Sequence, residues 1–578
     1  MKHREAVLVA LALTLLPGLS GAASADLRVV YGIIVNGQAA PEEGRPVVET
    51  AGGVVRVSNE PAAGWRDGAP RETSYLDYGT GRTWQTALLK DGTRCTVETA
   101  FASLTPLTPT DETATILGRV CRKSTCEIRS NRIEVWHTEG DGGRGTPTTN
   151  LVAPQGLVLR IVRNGNYEIV AQSIEPATGE PVRLPAAWGD AVDLPAYRAR
   201  VAGSWVTAVP VFEGETINFG QELAPPAADD PAAPRSPVYR HAGGTVILRR
   251  VRLPQDLDDA TIIAELVQYS RGDAYDRTGS VFVVPAARDG DRTTFLDALH
   301  RGVAVLPTVA GRDGRTYQGI VATGDYQPPV ELLRFITPFG VRHFNDQVTV
   351  RGIAWEDSAV YRADVTELAP LLRGDAWIGV FIGNYDQGGH AVSLTLRYHP
   401  NRREAGGGDA PRRFALPLFN TCNVLEMAGQ EYGRIFAADS LTVDFEVPDG
   451  ARDCVLRFIT TGHGGWENGD EFVPKVNEIL IDGRTAARLV PWRSDCGAYR
   501  RLNPASGNFW NGMSSSDFSR SGWCPGAAVS AVPVPLPGLT PGRHTVRVAI
   551  PLGEPEGDSF SAWNVSGVLV GERQAAGR

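Results

Sequence analysis

The sequence is short of the features that mark several large function classes. Beyond the apolar run from Ala6 to Leu16, no segment is long and apolar enough to cross a hydrocarbon core about 30 Å thick as a helix, so no integral membrane segment is expected. There is no stripe of Lys and Arg, and the formal net charge is −9. Phosphate binding needs clustered cations, so nucleic acid is excluded as a partner. Methionine is scarce, at 3 residues in 578, and the 9 histidines are scattered. A zinc or copper centre on a sandwich of strands needs such ligands to converge, so no metal site is expected. HExxH, GxSxG and a Walker loop are all missing, which removes the commonest zinc-hydrolase, serine-hydrolase and nucleotide-binding readings. Long amphipathic helical patterns are missing as well, and only Val365 to Leu372 suggests one short helix.

What is plentiful is turn chemistry: 64 glycines and 40 prolines separate short apolar bursts, the pattern of a β-rich chain with many loops. Lys2-His3-Arg4, the apolar run, Pro17-Gly18 and Ala22-Ala23-Ser24-Ala25 have the layout of a cleaved secretory signal over residues 1–25, with a secreted or periplasmic product starting near Asp26. No Cys lies near that cleavage site, which disfavours a lipid anchor. Seven cysteines, at 95, 121, 126, 422, 454, 496 and 524, suggest a few disulfides and one thiol left over, with Cys121 and Cys126 near enough in sequence to close a tight loop. The Pro- and Ala-rich stretch QELAPPAADDPAAPRSP, from Gln221 to Pro237, reads as a linker, and the polar stretch from Asn401 to Arg413 as a second break. These divide the chain into a β-rich N-terminal accessory domain over 26–223, a linker over 224–237, and two further domains over 238–400 and 413–573.

In both later segments apolar residues alternate with polar ones. Val392, Leu394, Leu396 and Tyr398 share one side of a strand, as do Val546, Val548 and Ile550. The expected fold class is all-β, with two consecutive antiparallel jelly-roll β-sandwiches after the accessory domain. In that first domain the clearest strand signals run from Leu157 to Val170 and from Val201 to Phe212. The Gly-rich run Thr138 to Gly145 reads as a hairpin turn rather than a calcium loop.

The remaining candidates for chemistry are carboxylates in loops beside strands. Gly272-Asp273-Ala274-Tyr275-Asp276-Arg277 precedes a strand at Val281, and Gly469-Asp470-Glu471-Phe472 lies in a loop that begins at Thr461-Gly462-His463-Gly464-Gly465-Trp466. Singly, each reads as a solvated loop charge.

Their order and surroundings, however, resemble the peptide-N-glycosidase F family over about residues 245–571. Asp273 to Arg277 running into Ser280-Val281-Phe282-Val283 is similar to that family's Asp-x-Trp-Asp-Arg segment, which puts Asp276 on the principal catalytic aspartate and Arg277 on the arginine beside it. Leu333 to Phe339 resembles its Arg-Phe-Ile-Thr-Pro-Tyr strand, and Ala363 to Thr366 its Ile-Asp-Val-Thr turn. Thr461 to Gly464 corresponds to a Gly-Trp-Gly-His loop, where His463 takes the place of either the Trp or the His depending on the gap chosen. Counting back from Glu478 to Ile481 puts Glu471 on the second essential carboxylate. Trp510 and Ser519 to Gly526 resemble the Trp and the Cys-Pro-Gly signature, and the match implies that Cys524 pairs with Cys496. There are departures. The family's third functional glutamate falls near Gly383, and Gly469 and Val473 stand where a small disulfide brackets the second glutamate. The resemblance does not extend to 26–223.

The family implies hydrolysis of the amide between asparagine and the first N-acetylglucosamine of N-linked glycoproteins or glycopeptides, leaving aspartate in the peptide. Asp276 would activate the nucleophile at the scissile linkage and Glu471 would position water or donate a proton. Arg277 and Arg520 would hold the carboxylates ionised or polarise the carbonyl. Tyr385, His463, Trp466 and Trp510 would contact the sugars, while Trp523, beside the disulfide, fits core packing better. No cofactor is required, and a monomer is expected. The alternative is a secreted glycan-binding protein with the same fold and no turnover.

Overall fold

The computed structural model describes residues 26–573 except 43, 60–69, 141–142, 154–155, 179, 221–222, 224–228, 256–259, 401–411, 432, 465–468 and 553–560. The signal segment 1–25, most of the break at 401–413 and Trp466 therefore lie outside the described residues. The chain divides into two compact units, up to Trp205 and from Val206 onward. Among the described residues no helix is long and apolar enough to cross a membrane.

The first unit is built on a 13-stranded, almost wholly antiparallel sheet. The run expected as strand from Leu157 to Val170 is a hairpin, Val158–Arg163 and Tyr167–Pro176, reversing at Asn164-Gly165. Both residues have positive φ (52° and 73°), which Asn and Gly adopt most readily, and with Asn166 they form the loop between the paired Arg163 and Tyr167. The second run, from Val201 to Phe212, is not one strand. Leu194–Trp205 is a helix, and a strand starts only at Thr207. Asp193 Oδ1 accepts from the Ala196 backbone N–H (2.8 Å) and Pro195 occupies the first turn, so the helix has both start signals. Tyr197 and Val201 then pack on Ala87, Cys95 and Val97.

The cysteines differ from expectation. Cys121 and Cys126 lie on one strand, Arg119–Ile128, opposite Thr138 and Ile133. Five residues of extended chain span roughly 16 Å, far beyond disulfide reach. Cys496–Cys524 is the one disulfide, and the other five cysteines are thiols.

The second unit holds two antiparallel β-sandwiches of the jelly-roll kind. In the first, strands Thr207–Ile217, His390–His399, Thr261–Ser270 and Ala359–Asp364 face a six-stranded sheet that includes Val246–Leu253, Gly374–Ile382, Thr278–Val284 and Val330–Ile336. The strand Thr207–Ile217 is hydrogen-bonded along His390–His399, so the division falls at 205/206 rather than at 223. The described part of the linker is also not free-standing. Ser236 N–H donates to Arg250 O (2.9 Å), Arg252 N–H to Pro234 O (2.8 Å), and the Arg250 guanidinium grips Asp229 (3.0 Å). A proline-rich stretch lacks the pattern of a strand but can still lie along a sheet edge. The short helix expected at 365–372 is a 3₁₀ turn, Thr366–Leu371, with Pro370 inside it. The second sandwich packs Arg412–Asn420, Ala562–Arg573, Ala451–His463 and Val532–Pro535 against Leu441–Val447, Gly542–Ala549, Asn477–Ile481 and Arg484–Leu489. The alternation at Val392 to Tyr398 holds, with the apolar members buried and the polar ones partly exposed.

Each sandwich has its own core, yet they are joined. Val568 and Val570 of the second pack into the core of the first, and Ala528–Val529 pairs with Val330–Ile336 as the edge of the first sandwich's larger sheet.

Candidate active site

Two loops, one from each sandwich, carry the candidate carboxylates to one arginine. The first loop follows the strand Thr261–Ser270. Gly272 (φ 146°) passes so close to the Gly388 backbone that a Cβ at Gly272 would stand 2.9 Å from Gly388 Cα. This backbone-to-backbone approach turns the loop, and only glycines permit it. Asp273, fully buried, accepts from Arg277 Nε (2.8 Å) and Nη2 (3.3 Å) and from the Tyr275 backbone N–H (2.9 Å), with His390 Nε2 at 3.4 Å. Burial pushes its carboxyl up, but the nearby His390 and the bonds from Arg277 outweigh this and hold it at about 2. Asp273 is thus a permanently charged anchor for Arg277. Thr337 completes the brace: its hydroxyl donates to Tyr275 O (3.1 Å) and accepts from the Arg277 N–H (2.7 Å).

The second loop is held by Asp470 beside Glu471. Asp470 is buried and accepts from Trp563 Nε1 (2.7 Å), leaving Glu471 turned the other way. Arg520 lies beneath both catalytic candidates. Its Nε donates to Glu471 Oε1 (2.9 Å), its Nη1 to Ser515 O (2.6 Å) and Phe518 O (3.1 Å), and its Nη2 to Ser515 Oγ (3.0 Å). Its plane lies between Phe472 and Trp523, 5.0 and 4.8 Å from the ring centres. The one direction left to Nη2 is toward Asp276 Oδ2, at 3.7 Å. A guanidinium with four hydrogen bonds and two ring contacts cannot reorient, so it fixes where both carboxylates sit.

Asp276 and Glu471 keep 18% and 21% of their side chains exposed, enough to meet a substrate. Burial raises both carboxyls above the usual range, against the opposing pull of Arg520. The nearby Glu471 pushes Asp276 further, to about 7. Asp276 is therefore the member of the pair that exchanges its proton near neutral pH.

This has a consequence for stability. In the unfolded chain Asp276 ionises near 3.8, whereas in the fold it keeps its proton to about 7. Between those values the unfolded state has lost a proton that the folded state retains, so stability falls as pH rises through the window and stays lower above it. Asp276→Asn, which cannot ionise, is expected to melt several degrees above the parent at pH 8, and this advantage should vanish at pH 4. An equal difference at both pH values would rule the account out.

The remaining candidates separate. Arg277 stacks on Tyr275 and Tyr385, 4.9 and 5.1 Å from their centres, and these two rings are 61% and 52% exposed. Trp510 is 86% exposed beside Phe509, which packs on Phe472 next to Glu471. His463 is directed elsewhere. It bonds Thr461 Oγ1 (2.7 Å) and stacks on Trp523 (5.5 Å), and burial followed by the charge of Arg334 lowers it to about 3, leaving it neutral. Trp523 is buried, donating its Nε1–H to Gly462 O (2.8 Å). Among the described residues no group of three or more His, Cys, Asp or Glu side chains could hold a metal ion. Sequence reasoning missed Asp273, His390 and Thr337 as supports, and Ser515 as an Arg520 anchor. Only Asp273 and Arg277, four apart, left a trace in the sequence.

Comparison with known proteins agrees with this architecture. Residues 208–398 match the family model described as peptide-N-glycosidase F, N terminal, residues 431–570 its C-terminal counterpart, and residues 31–198 the model described as N-glycanase peptide, N-terminal domain. A comparison with curated proteins found no match. A solved structure of PNGF-II in space group P21 is 39% identical over 95% of this chain and 100% of its own, with a TM-score of 0.83. Another, in space group C2, is 38% identical over 96% and 99%, with a TM-score of 0.76. PNGase F, a glycosylasparaginase from Flavobacterium meningosepticum, is 17% identical over 64% of this chain and 96% of its own, at a TM-score of 0.42. Three consecutive family matches and a full-length relative at 39% identity establish that the chain belongs to the peptide-N-glycosidase F family.

Proposed function

We propose that the chain is an amidase that hydrolyses the bond between asparagine and the first N-acetylglucosamine of N-linked glycoproteins and glycopeptides. The observation that carries this reading is the meeting of Asp276 and Glu471, from separate sandwiches, on the buried guanidinium of Arg520. Amide hydrolysis needs an oriented water, a base for its proton, stabilisation of the oxyanion and a proton for the departing amine. Two carboxylates raised by burial and tied to one cation divide this work. Asp276, in the fraction ionised near its pKa of about 7, takes a proton from the attacking water, which Glu471 orients, and that proton then passes from Asp276 to the leaving nitrogen. Water adds to the carbonyl carbon, the C–N bond breaks, and the products are aspartate and a glycosylamine. Arg277, held by Asp273 and Thr337, is the cation next to Asp276 in the chain, suited to the carbonyl oxygen. Tyr385 and Trp510 are exposed rings of the kind that stack on pyranose faces. The Cys496–Cys524 disulfide supports action in an oxidising compartment outside the cytoplasm.

The test is mass spectrometry of an N-glycosylated peptide incubated with the protein. The expected result is a freed glycan and an Asn-to-Asp conversion, a gain of about 1 Da as amide becomes acid. Release that leaves N-acetylglucosamine on the asparagine would mean a glycosidase. Retained glycan binding without release would mean a lectin.

A further inference from the structure

We infer that Glu426 belongs to the same cleft as a sugar-binding residue, forming with Tyr275 and Tyr385 a subsite for a neutral pyranose of the glycan; this rests on the function proposed above. Glu426 opens the 3₁₀ turn Glu426–Ala428, just after the first strand of the second sandwich. The segment carrying it is clamped onto the first sandwich: Cys422, Val424 and Leu425 are buried in one cluster with Phe282, Phe295 and Phe381. Leu425 N–H donates to Gln430 Oε1 (3.0 Å), which closes the turn. The backbone is therefore set, and the Glu426 side chain extends from it to accept a hydrogen bond from the Tyr385 hydroxyl at Oε1 (2.9 Å).

This contact joins Glu426 to the chemistry. Tyr385 lies against the guanidinium of Arg277, which follows Asp276 in sequence, and Tyr275 lies against the same guanidinium. Among the described residues Glu426 has no cationic partner, whereas the other acidic side chain here, Asp386, faces Arg277 at 3.9 Å. A partly buried carboxylate with one neutral hydrogen bond has lone pairs to spare, and burial raises its pKa despite the Tyr385 bond. The groups that suit it are neutral donors. An anionic ligand is repelled by Glu426 and a cationic one by Arg277, while ring hydroxyls donate to the carboxylate as the two half-exposed tyrosines cover an apolar sugar face.

The experiment combines glycopeptide kinetics with titration of a free disaccharide of β-linked N-acetylglucosamine, which has no amide to the peptide and cannot turn over. Glu426→Ala is expected to raise KM and weaken disaccharide binding about tenfold each, the loss typical of a hydrogen bond to a charged group, while kcat falls less than about threefold. Glu426→Gln, keeping shape and one acceptor, should recover part of both, and Tyr385→Phe should shift KM in the same direction. If Glu426→Ala fails to fold, Glu426→Gln decides in its place. A cleaving parent enzyme whose Glu426 variants keep KM and disaccharide affinity within about twofold overturns the assignment. A parent that releases no glycan overturns the function proposed above instead.

Discussion

Asp276→Asn is expected to lower kcat for glycopeptide cleavage by roughly 10²- to 10⁴-fold, the range for loss of a general acid–base group, without loss of the fold. The size follows from geometry. Among the described residues the Asp276 side chain makes no hydrogen bond to another residue, and its nearest cation is Arg520 at 3.7 Å. Arg520 keeps its bonds to Ser515, Phe518 and Glu471 when Asp276 is replaced, so the cleft retains its shape. An amide in place of the carboxylate keeps the volume and one acceptor but cannot take a proton from water. Loss should therefore fall on kcat, with KM nearly unchanged. Steady-state rates with one glycopeptide, alongside circular dichroism, check this. A kcat within about threefold of the parent would remove Asp276 from the mechanism.

Arg334→Ala should be the most destabilising single change, at about 3–5 kcal/mol, because it leaves a buried carboxylate without its cation. Glu331 and Arg334 are both fully inaccessible. Glu331 also accepts from Ser280 Oγ (2.8 Å) in the first sandwich and Ser566 Oγ (2.6 Å) in the second. Arg334 reaches across to Thr461 Oγ1 (3.1 Å) and to Asn564 O, so the ion pair is the polar bolt between the sandwiches. Its loss is expected to lower Tm by on the order of 10 °C for a unit of this size. Replacing Glu331 and Arg334 together by methionine should recover most of that, since neither charge is then stranded. The comparison of single and double variants by thermal melting separates stranded charge from lost packing. A double variant no better than the single would mean that the shape of the network, and not its charge balance, is what matters.

Local patterning makes much of the molecule legible in the sequence alone. The period-two runs at Val392 to Tyr398 and Val546 to Ile550 identify half-buried strands because alternate side chains of an extended chain face opposite sides. Where local signals compete, the reading fails. Val201 to Phe212 has the composition of a strand, but Asp193 and Pro195 start a helix that consumes its first part, and the rest pairs with a strand nearly 200 residues on. That pairing moved the domain division from 223 to 205, since a proline-rich stretch reads as a spacer whether or not it lies along a sheet. Cys121 and Cys126 read as a possible bridge only while the strand holding them straight is unknown.

The sequence by itself determined the strand content, the two-sandwich plan and, through the resemblance of its motifs, which two carboxylates to examine. It carries these because periodicity, turn chemistry and short motifs are written in neighbouring residues. Only the tertiary structure decided that Asp276 and Glu471 meet on Arg520, that Asp273 braces Arg277, that His463 turns away into the junction between the sandwiches, and that Glu426 approaches Tyr385. Apart from Asp273 on Arg277 and His463 on Thr461, those facts depend on contacts between residues 41 to about 240 positions apart, and on burial that raises one carboxyl while hydrogen bonds lower another three residues away. Both are properties of packing, which no local window of the chain contains.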